Sequence, residues 1–226
     1  KLETPTYELT VPSTGETIEY RPFLVKEEKI LMMATESNDT TQIMNAMKSI
    51  IGSCTFNKVK TNDLTTYDAE YIFLQLRSKS VGENVEFELK CEECETPNRV
   101  SLYLGDVGVF VPPAVSNKIQ LNNEVGITLK PITLQESVAI SKDTDVEELL
   151  IAVIDTIYDK ENVYNSKDST KNELLEFVGS LNNTQVVQIQ KYVESIPFLE
   201  HNIAFGCSNC GHKNEVNLKG LQDFFA

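Results

Sequence analysis

Apolar and polar residues alternate through YELTVPSTGETIEY, residues 7–20, on either side of a Pro-Ser-Thr-Gly turn, which predicts a β-hairpin. The period then changes. Pro22 is tolerated in a first helical turn, and FLVKEEKILMMA behind it places Phe23, Leu24, Ile30, Leu31 and Ala34 on one helical side. Asp39 with Gln42 has the spacing of a capping box, followed by Ile43, Met44, Met47, Ile50 and Ile51 at helical intervals as far as Gly52. A third helix is expected over 64–79, with Tyr67, Tyr71 and Leu74 on a broad apolar face and an end near Gly82.

Residues 99–130 read as strands, with turns at Gly105, Pro112-Pro113, Asn122-Asn123 and Gly126. Within them IQLNNEVGITL predicts a second hairpin on a four-residue connection. Helical spacing returns in Val146, Leu149, Leu150, Val153, Ile154 and Ile157 behind a Thr144–Glu147 box. A polar linker, DKENVYNSKD, leads to a second box at Thr170 and Glu173. One more helix over 183–195 is stopped by Pro197. The tail KGLQDFFA ends on Phe224 and Phe225, expected to pack on the core, with an exposed docking hook as the other reading.

The chemistry is concentrated in cysteine. CEEC at Cys91/Cys94 and CSNC at Cys207/Cys210 each sit in a strand–turn–strand context, with Gly211 where a knuckle needs positive φ. Half the chain separates them, so one zinc site with four cysteine ligands would tie two distant regions together. Two copies inside hairpins fit a thioredoxin-like redox motif poorly, since that motif is one CxxC at a helix start; disulfides and unconnected thiols are the other readings. Four thiolates leave no open coordination position, so such a zinc is structural. Either His201 or His212 could replace one ligand, though both read more simply as surface residues or as neighbours of the ligands.

The predicted fold is α+β: helical lobes flanking a strand-rich centre, with a four-cysteine zinc ribbon assembled from two distant knuckles. Its segments are 1–82 (hairpin and helical layer), 83–130 (first knuckle and strand-rich region), 131–196 (helical region), and 197–226 (second knuckle and tail, packing on 83–104).

Composition narrows the function. Of 226 residues 41% are hydrophobic, enough for a sizeable core, and no apolar run approaches a membrane span; with no signal-peptide pattern and reduced cysteines, a soluble protein made inside the cell is expected. The net charge is −14, with Glu83, Glu86, Glu88, Glu92, Glu93 and Glu95 around the first knuckle against Lys90 and Arg99. Such a ribbon repels phosphates, so nucleic-acid binding or transcriptional regulation is the weaker alternative, and contact with a basic protein surface the better one. Phosphate-loop, dinucleotide, HExxH and GxSxG motifs are all missing. An enzyme would have to rely on Cys54 or on a carboxylate pair drawn from Glu27-Glu28, Glu92-Glu93 or Glu147-Glu148. Neighbours in sequence point apart, and Asp143, Asp145, Glu147 and Glu148 read as helix-start residues, not a calcium loop. Met32, Met33, Met44 and Met47 divide between core filling and an adaptable protein-binding surface.

Residues 11–34, VPSTGETIEYRPFLVKEEKILMMA, carry a resemblance. Pro12, Ser13 and Gly15 in the turn, followed by Arg21 through Lys29 (RPFLVKEEK) and an apolar helix, resemble the T4-like bacteriophage baseplate protein family. The resemblance implies a non-enzymatic component or assembly factor of the baseplate hub, acting in the host bacterial cytoplasm or retained in the virion tail, with other baseplate or hub proteins as partners. It assigns no catalytic residue. Arg21, Lys26 and Lys29 read equally as partner-facing residues or, for Arg21, as the counter-ion of a local carboxylate, with both lysines solvated.

Overall fold

In the computed structural model, which describes residues 3–37, 39–140 and 144–224, the first hairpin forms as expected. β1 (Tyr7–Thr10) pairs antiparallel with β2 (Thr17–Tyr20) around a turn containing Gly15 at φ +70. The turn is pinned by the Ser13 amide, which donates to the buried Asp68 carboxylate at 2.9 Å. α1 (Val25–Glu36) starts later than Pro22 suggests, with Leu24 as N-cap, and its inward face differs from the expected one. Phe23 and Ala34 are buried, but Leu24 and Ile30 are exposed and Glu27 points inward. The reason is an ion pair: Glu27 accepts from Arg21 at 2.9 Å and from the Leu24 amide at 2.7 Å, closing the first turn on itself.

α2 (Thr40–Cys54) is capped by Asp39, whose carboxylate accepts from the Thr41 and Gln42 amides, and it passes Gly52 by two residues. It buries Met47, Ile50 and Ile51, while Met32 and Met33 on α1 are exposed. α3 (Thr66–Val81), capped by Thr65 and ended at Gly82, buries residues on several sides, among them Ala69, Ile72, Leu74 and Leu76. A helix covered all round sits at the centre of its layer, which explains its weak amphipathicity. The chain then forms the long hairpin β3 (Asn84–Lys90) and β4 (Pro97–Tyr103), a 3-10 turn (Leu104–Asp106) and β5 (Gly108–Phe110).

Residues Val111–Pro197 make a compact unit of their own. β6 (Lys118–Gln120) and β7 (Gly126–Leu129) form the expected second hairpin. α4 (Leu134–Ser137) starts on a Thr133–Glu136 capping box. α5 (Val146–Val153) is capped by Asp145, not Thr144, and stops short of the predicted end; Asp143 lies outside the described residues. Ile154 and Ile157 belong instead to β8 (Ile154–Tyr158), which pairs with β7 and with β9 (Val163–Asn165), a strand inside the supposed linker. The β-branched run Ile154, Thr156, Ile157 fits helical spacing, yet a β7 partner draws it into the sheet, where the Thr128 and Thr156 hydroxyls bond at 2.6 Å. Asp159 makes the intervening turn by accepting from the Glu161 and Asn162 amides. α6 (Lys171–Gly179) and α7 (Asn183–Glu194) follow, opened by reciprocal boxes at Thr170–Glu173 and Asn182–Gln185. The sheet order is β6-β7-β8-β9, over a core that includes Ile127, Leu129, Ile154 and Ile189.

The chain then returns to the first unit, which joins Lys1–Phe110 to Phe198–Ala226. β10 (Phe198–Gly206) pairs with β5 on one side and with β11 (Lys213–Lys219) on the other, and α8 (Gly220–Asp223) ends the described chain. Phe87 and Leu102 from one hairpin, Ile203 and Leu218 from the other, and Leu74 of α3 share one core with Phe224. Phe224 is therefore core; Phe225 lies outside the described residues. The α+β class stands as the sequence predicts, and among the described residues no helix is long and apolar enough to cross a membrane.

Candidate metal centre

β3–β4 and β10–β11 each turn through a CxxC, and the two turns have the same construction. The Cys91 amide donates to the Thr96 carbonyl and the Glu95 amide to the Cys91 carbonyl; the Cys207 amide donates to the His212 carbonyl and the Gly211 amide to the Cys207 carbonyl. The residue after the second cysteine has positive φ in both, Glu95 at +56 and Gly211 at +74. Glycine accepts that conformation freely, so the strain falls on Glu95. Along β4 and β11 burial alternates identically, and both hairpins direct one face to the shared core.

This construction brings the tips together. The Sγ atoms of Cys91, Cys94, Cys207 and Cys210 all lie within 4.8 Å of one another, and no disulfide joins them. The short approaches run between knuckles, 3.7 Å from Cys91 to Cys210 and 3.5 Å from Cys94 to Cys207. A tetrahedral zinc with ~2.3 Å bonds to sulfur separates its ligands by about 3.8 Å, so the set fits such an ion with little rearrangement. Three of the cysteines are shielded and Cys210 is exposed. Neither His201 nor His212 joins the group of potential ligand atoms.

The surroundings favour thiolate at Cys94 and Cys207. The Thr96 hydroxyl and amide hold the Cys94 thiol down at about 6, and the Cys210 and Asn209 amides lower Cys207. At Cys210 the His212 amide pulls downward, but hydrogen bonding to the Cys94 sulfur, burial and the other two sulfurs push it up to about 12. Without metal the cluster thus retains a proton that a cation would displace. Asn209 Nδ2 and Asn98 Nδ2 approach the Cys94 and Cys207 sulfurs at 3.7 and 3.8 Å.

Two residues that join the knuckles escape a reading of the cysteines alone. Asn98 is buried, gives Nδ2 to the Thr96 carbonyl at 2.7 Å, and accepts at Oδ1 from the Ser208 amide of the other knuckle at 2.8 Å. Asn214 is buried too, gives Nδ2 to the His212 carbonyl at 3.1 Å, and accepts at Oδ1 from the Glu92 amide across the centre at 2.9 Å. The signal was available: both motifs read CxxCxxxN, with Asn98 and Asn214 at equivalent places.

The other candidates occupy ordinary structural positions. Cys54 is buried, and burial pushes its thiol up to about 11 despite the nearby Arg21 guanidinium, the opposite of an activated nucleophile. Glu27 is committed to Arg21, and Glu148 pairs with Lys171 at 2.5 Å. Asp68, beside a 380 Å³ cleft under the first hairpin, is satisfied by the Ser13 amide and the Thr65 hydroxyl.

No match is found among curated proteins or among solved structures. The model of one family, described as T4 bacteriophage base plate protein, matches residues 4–226, nearly the whole chain and both knuckles with it. The chain belongs to the T4 bacteriophage base plate protein family.

Proposed function

We propose that this chain is a non-enzymatic structural or assembly component of the baseplate hub of a contractile-tailed phage, working in the host bacterial cytoplasm while tails are built. The observation that carries the reading is the family match over residues 4–226. Its work is to bind neighbouring tail proteins. In support, α1 turns Val25, Met32 and Met33 outward at 79%, 57% and 63% exposure, opposite the buried Glu27 and Ala34. Unbranched thioethers suit an adaptable contact, and the −14 net charge favours basic partner surfaces. A structural zinc held by Cys91, Cys94, Cys207 and Cys210 joins two hairpins far apart in sequence, and four filled positions leave it no place for substrate.

Phage lacking this chain tests the hub role. Infected cells should accumulate tail parts without complete baseplates, and wild-type numbers of intact particles would refute it. Native mass spectrometry of protein purified without added metal tests the clamp. One zinc should be bound and lost on denaturation, and Cys94→Ser should lower both zinc content and folded yield. Full metal content with unchanged melting in that variant would sink the assignment.

A further inference from the structure

We propose that Asn98 and Asn214 are the positioning residues of the metal centre, each holding the opposite knuckle's CxxC turn in ligand geometry. The inference rests on the metal reading above and adds to it the groups that aim the ligands. β3–β4 and β10–β11 lie in separate sheets, so no backbone ladder runs between the two tips. What ties them directly is side-chain hydrogen bonding. Each asparagine reaches the backbone N–H immediately after the first cysteine of the other knuckle, Ser208 behind Cys207 and Glu92 behind Cys91. Each is itself anchored by giving its Nδ2 to the carbonyl two residues earlier in its own turn.

The exchange is reciprocal, so neither knuckle can rotate its first cysteine out of the centre without breaking a bond to its partner. Ser208 Oγ adds a second donor to Asn98 Oδ1 at 2.9 Å. Asn98 also places Nδ2 towards the Cys207 sulfur, a contact that strengthens when the sulfur is a thiolate. Asn214 has no sulfur contact of this kind among the described hydrogen bonds. Both asparagines therefore orient, and Asn98 in addition stabilises ligand charge.

The crossing makes a prediction that general destabilisation does not. Full-length zinc-loaded protein is placed in excess chelator, zinc release is timed, and the cysteines alkylated by iodoacetamide during release are mapped by peptide mass spectrometry. Removing an outer-sphere partner weakens metal binding about 10- to 100-fold, and release from Asn98→Ala and Asn214→Ala should accelerate on that scale. Protection should be lost across the centre: at Cys207 in Asn98→Ala and at Cys91 in Asn214→Ala, both buried in the parent. Asn98→Asp retains the acceptor for Ser208 but loses both Nδ2 contacts, to the Thr96 carbonyl and towards Cys207. It should protect Cys207 better than Asn98→Ala does while still releasing zinc faster than the parent.

Release within about threefold of the parent in both alanine variants overturns the proposal, as does lost protection at the variant's own knuckle. If an alanine variant does not fold, parental release from Asn98→Asp overturns it alone. A parent that binds no zinc would instead remove the metal reading itself, a separable outcome.

Discussion

Replacing Arg21 by methionine should destabilise the first unit severely, although Arg21 lies in a segment rich in charge. The guanidinium donates to Glu27 at 2.9 Å, and the Glu27 side chain is only 4% exposed. Arg21 also donates to the Pro22 carbonyl at 2.9 Å, and its own amide bonds the Cys54 carbonyl at 3.0 Å, so it joins the start of α1 to the end of α2. Without it the carboxylate keeps the Leu24 amide and a 3.4 Å approach from Lys26, whose side chain is 71% exposed. Breaking a buried pair from one side costs about 3–5 kcal/mol, and residual help from Lys26 places Arg21→Met near the lower limit. Total stability is on the order of 5–15 kcal/mol, so the loss is large. Glu27→Leu should cost a similar amount, whereas the double variant Arg21→Met/Glu27→Leu should recover part of it, since an apolar pair leaves no buried charge although the Leu24 amide and the Pro22 carbonyl lose their partners.

The assay is urea unfolding read by hydrogen exchange on peptides from 21–54, which isolates this region from the Val111–Pro197 unit. A pH series adds a second signature. Burial alone would raise the Glu27 carboxyl, but the Arg21 bond, the Leu24 amide and the Arg21 charge outweigh it and hold the group below its ordinary 4.5. The folded state therefore binds fewer protons than the unfolded one over that interval. Its contribution is complete above pH 4.5 and is lost as pH falls through the folded value, a dependence that Glu27→Leu should lack. A cost below about 1 kcal/mol for Arg21→Met, or a double variant no better than the singles, would refute the reasoning.

Phe224 is fully buried among Leu74, Phe87 and Leu218, so Phe224→Ala should cost about 3–5 kcal/mol in the same unfolding assay, where a docking hook would cost almost nothing. Glu70 behaves oppositely to Glu27: burial pushes its carboxyl up to about 7, with only the Leu221 amide opposing. The folded state holds the extra proton, so stability falls as pH rises from 4.5 to about 7, and Glu70→Gln should remove that slope and gain up to about 3 kcal/mol at pH 8. An unchanged slope in Glu70→Gln would assign the pH dependence to other groups.

What was legible in the chain was mostly local. The caps at Asp39 and Thr170 declare themselves because three residues settle them, and the first hairpin because its alternation and turn agree. The cysteine pairs point to a shared centre because a tetrahedral site needs four ligands and two CxxC turns present four thiols. The misreadings arise where a distant partner decides. Ile154 and Ile157 satisfy helical and strand periods alike, and β7 selects the strand. Glu27 resembles any solvated glutamate until Arg21 folds over Pro22 to meet it, which makes Arg21 the counter-ion of a local carboxylate, with the exposed Lys26 3.4 Å from the same group. Asn98 and Asn214 are single polar residues in strands, and their meaning lies in the other hairpin.

The proposed metal clamp and the long middle segment can be separated experimentally, because the first unit's own strands bring the cut ends together. Phe110 at the end of β5 stands opposite Phe198 at the start of β10 in an antiparallel register, with their rings 5.5 Å apart. Val111–Pro197 thus leaves and re-enters at paired neighbours, an arrangement that tolerates insertion and removal. Joining Phe110 to Phe198 through a two-residue Asn-Gly turn closes a hairpin whose strands are already paired. The loop removed is long, yet loop-closure entropy grows only with the logarithm of length, so the shortened chain gains a few kcal/mol at most from closure. It should retain one zinc and parental release into chelator, since all four cysteines and both asparagines remain. Folded shortened protein that binds no zinc would show that the centre depends on the segment removed, and would make the clamp a property of the whole chain.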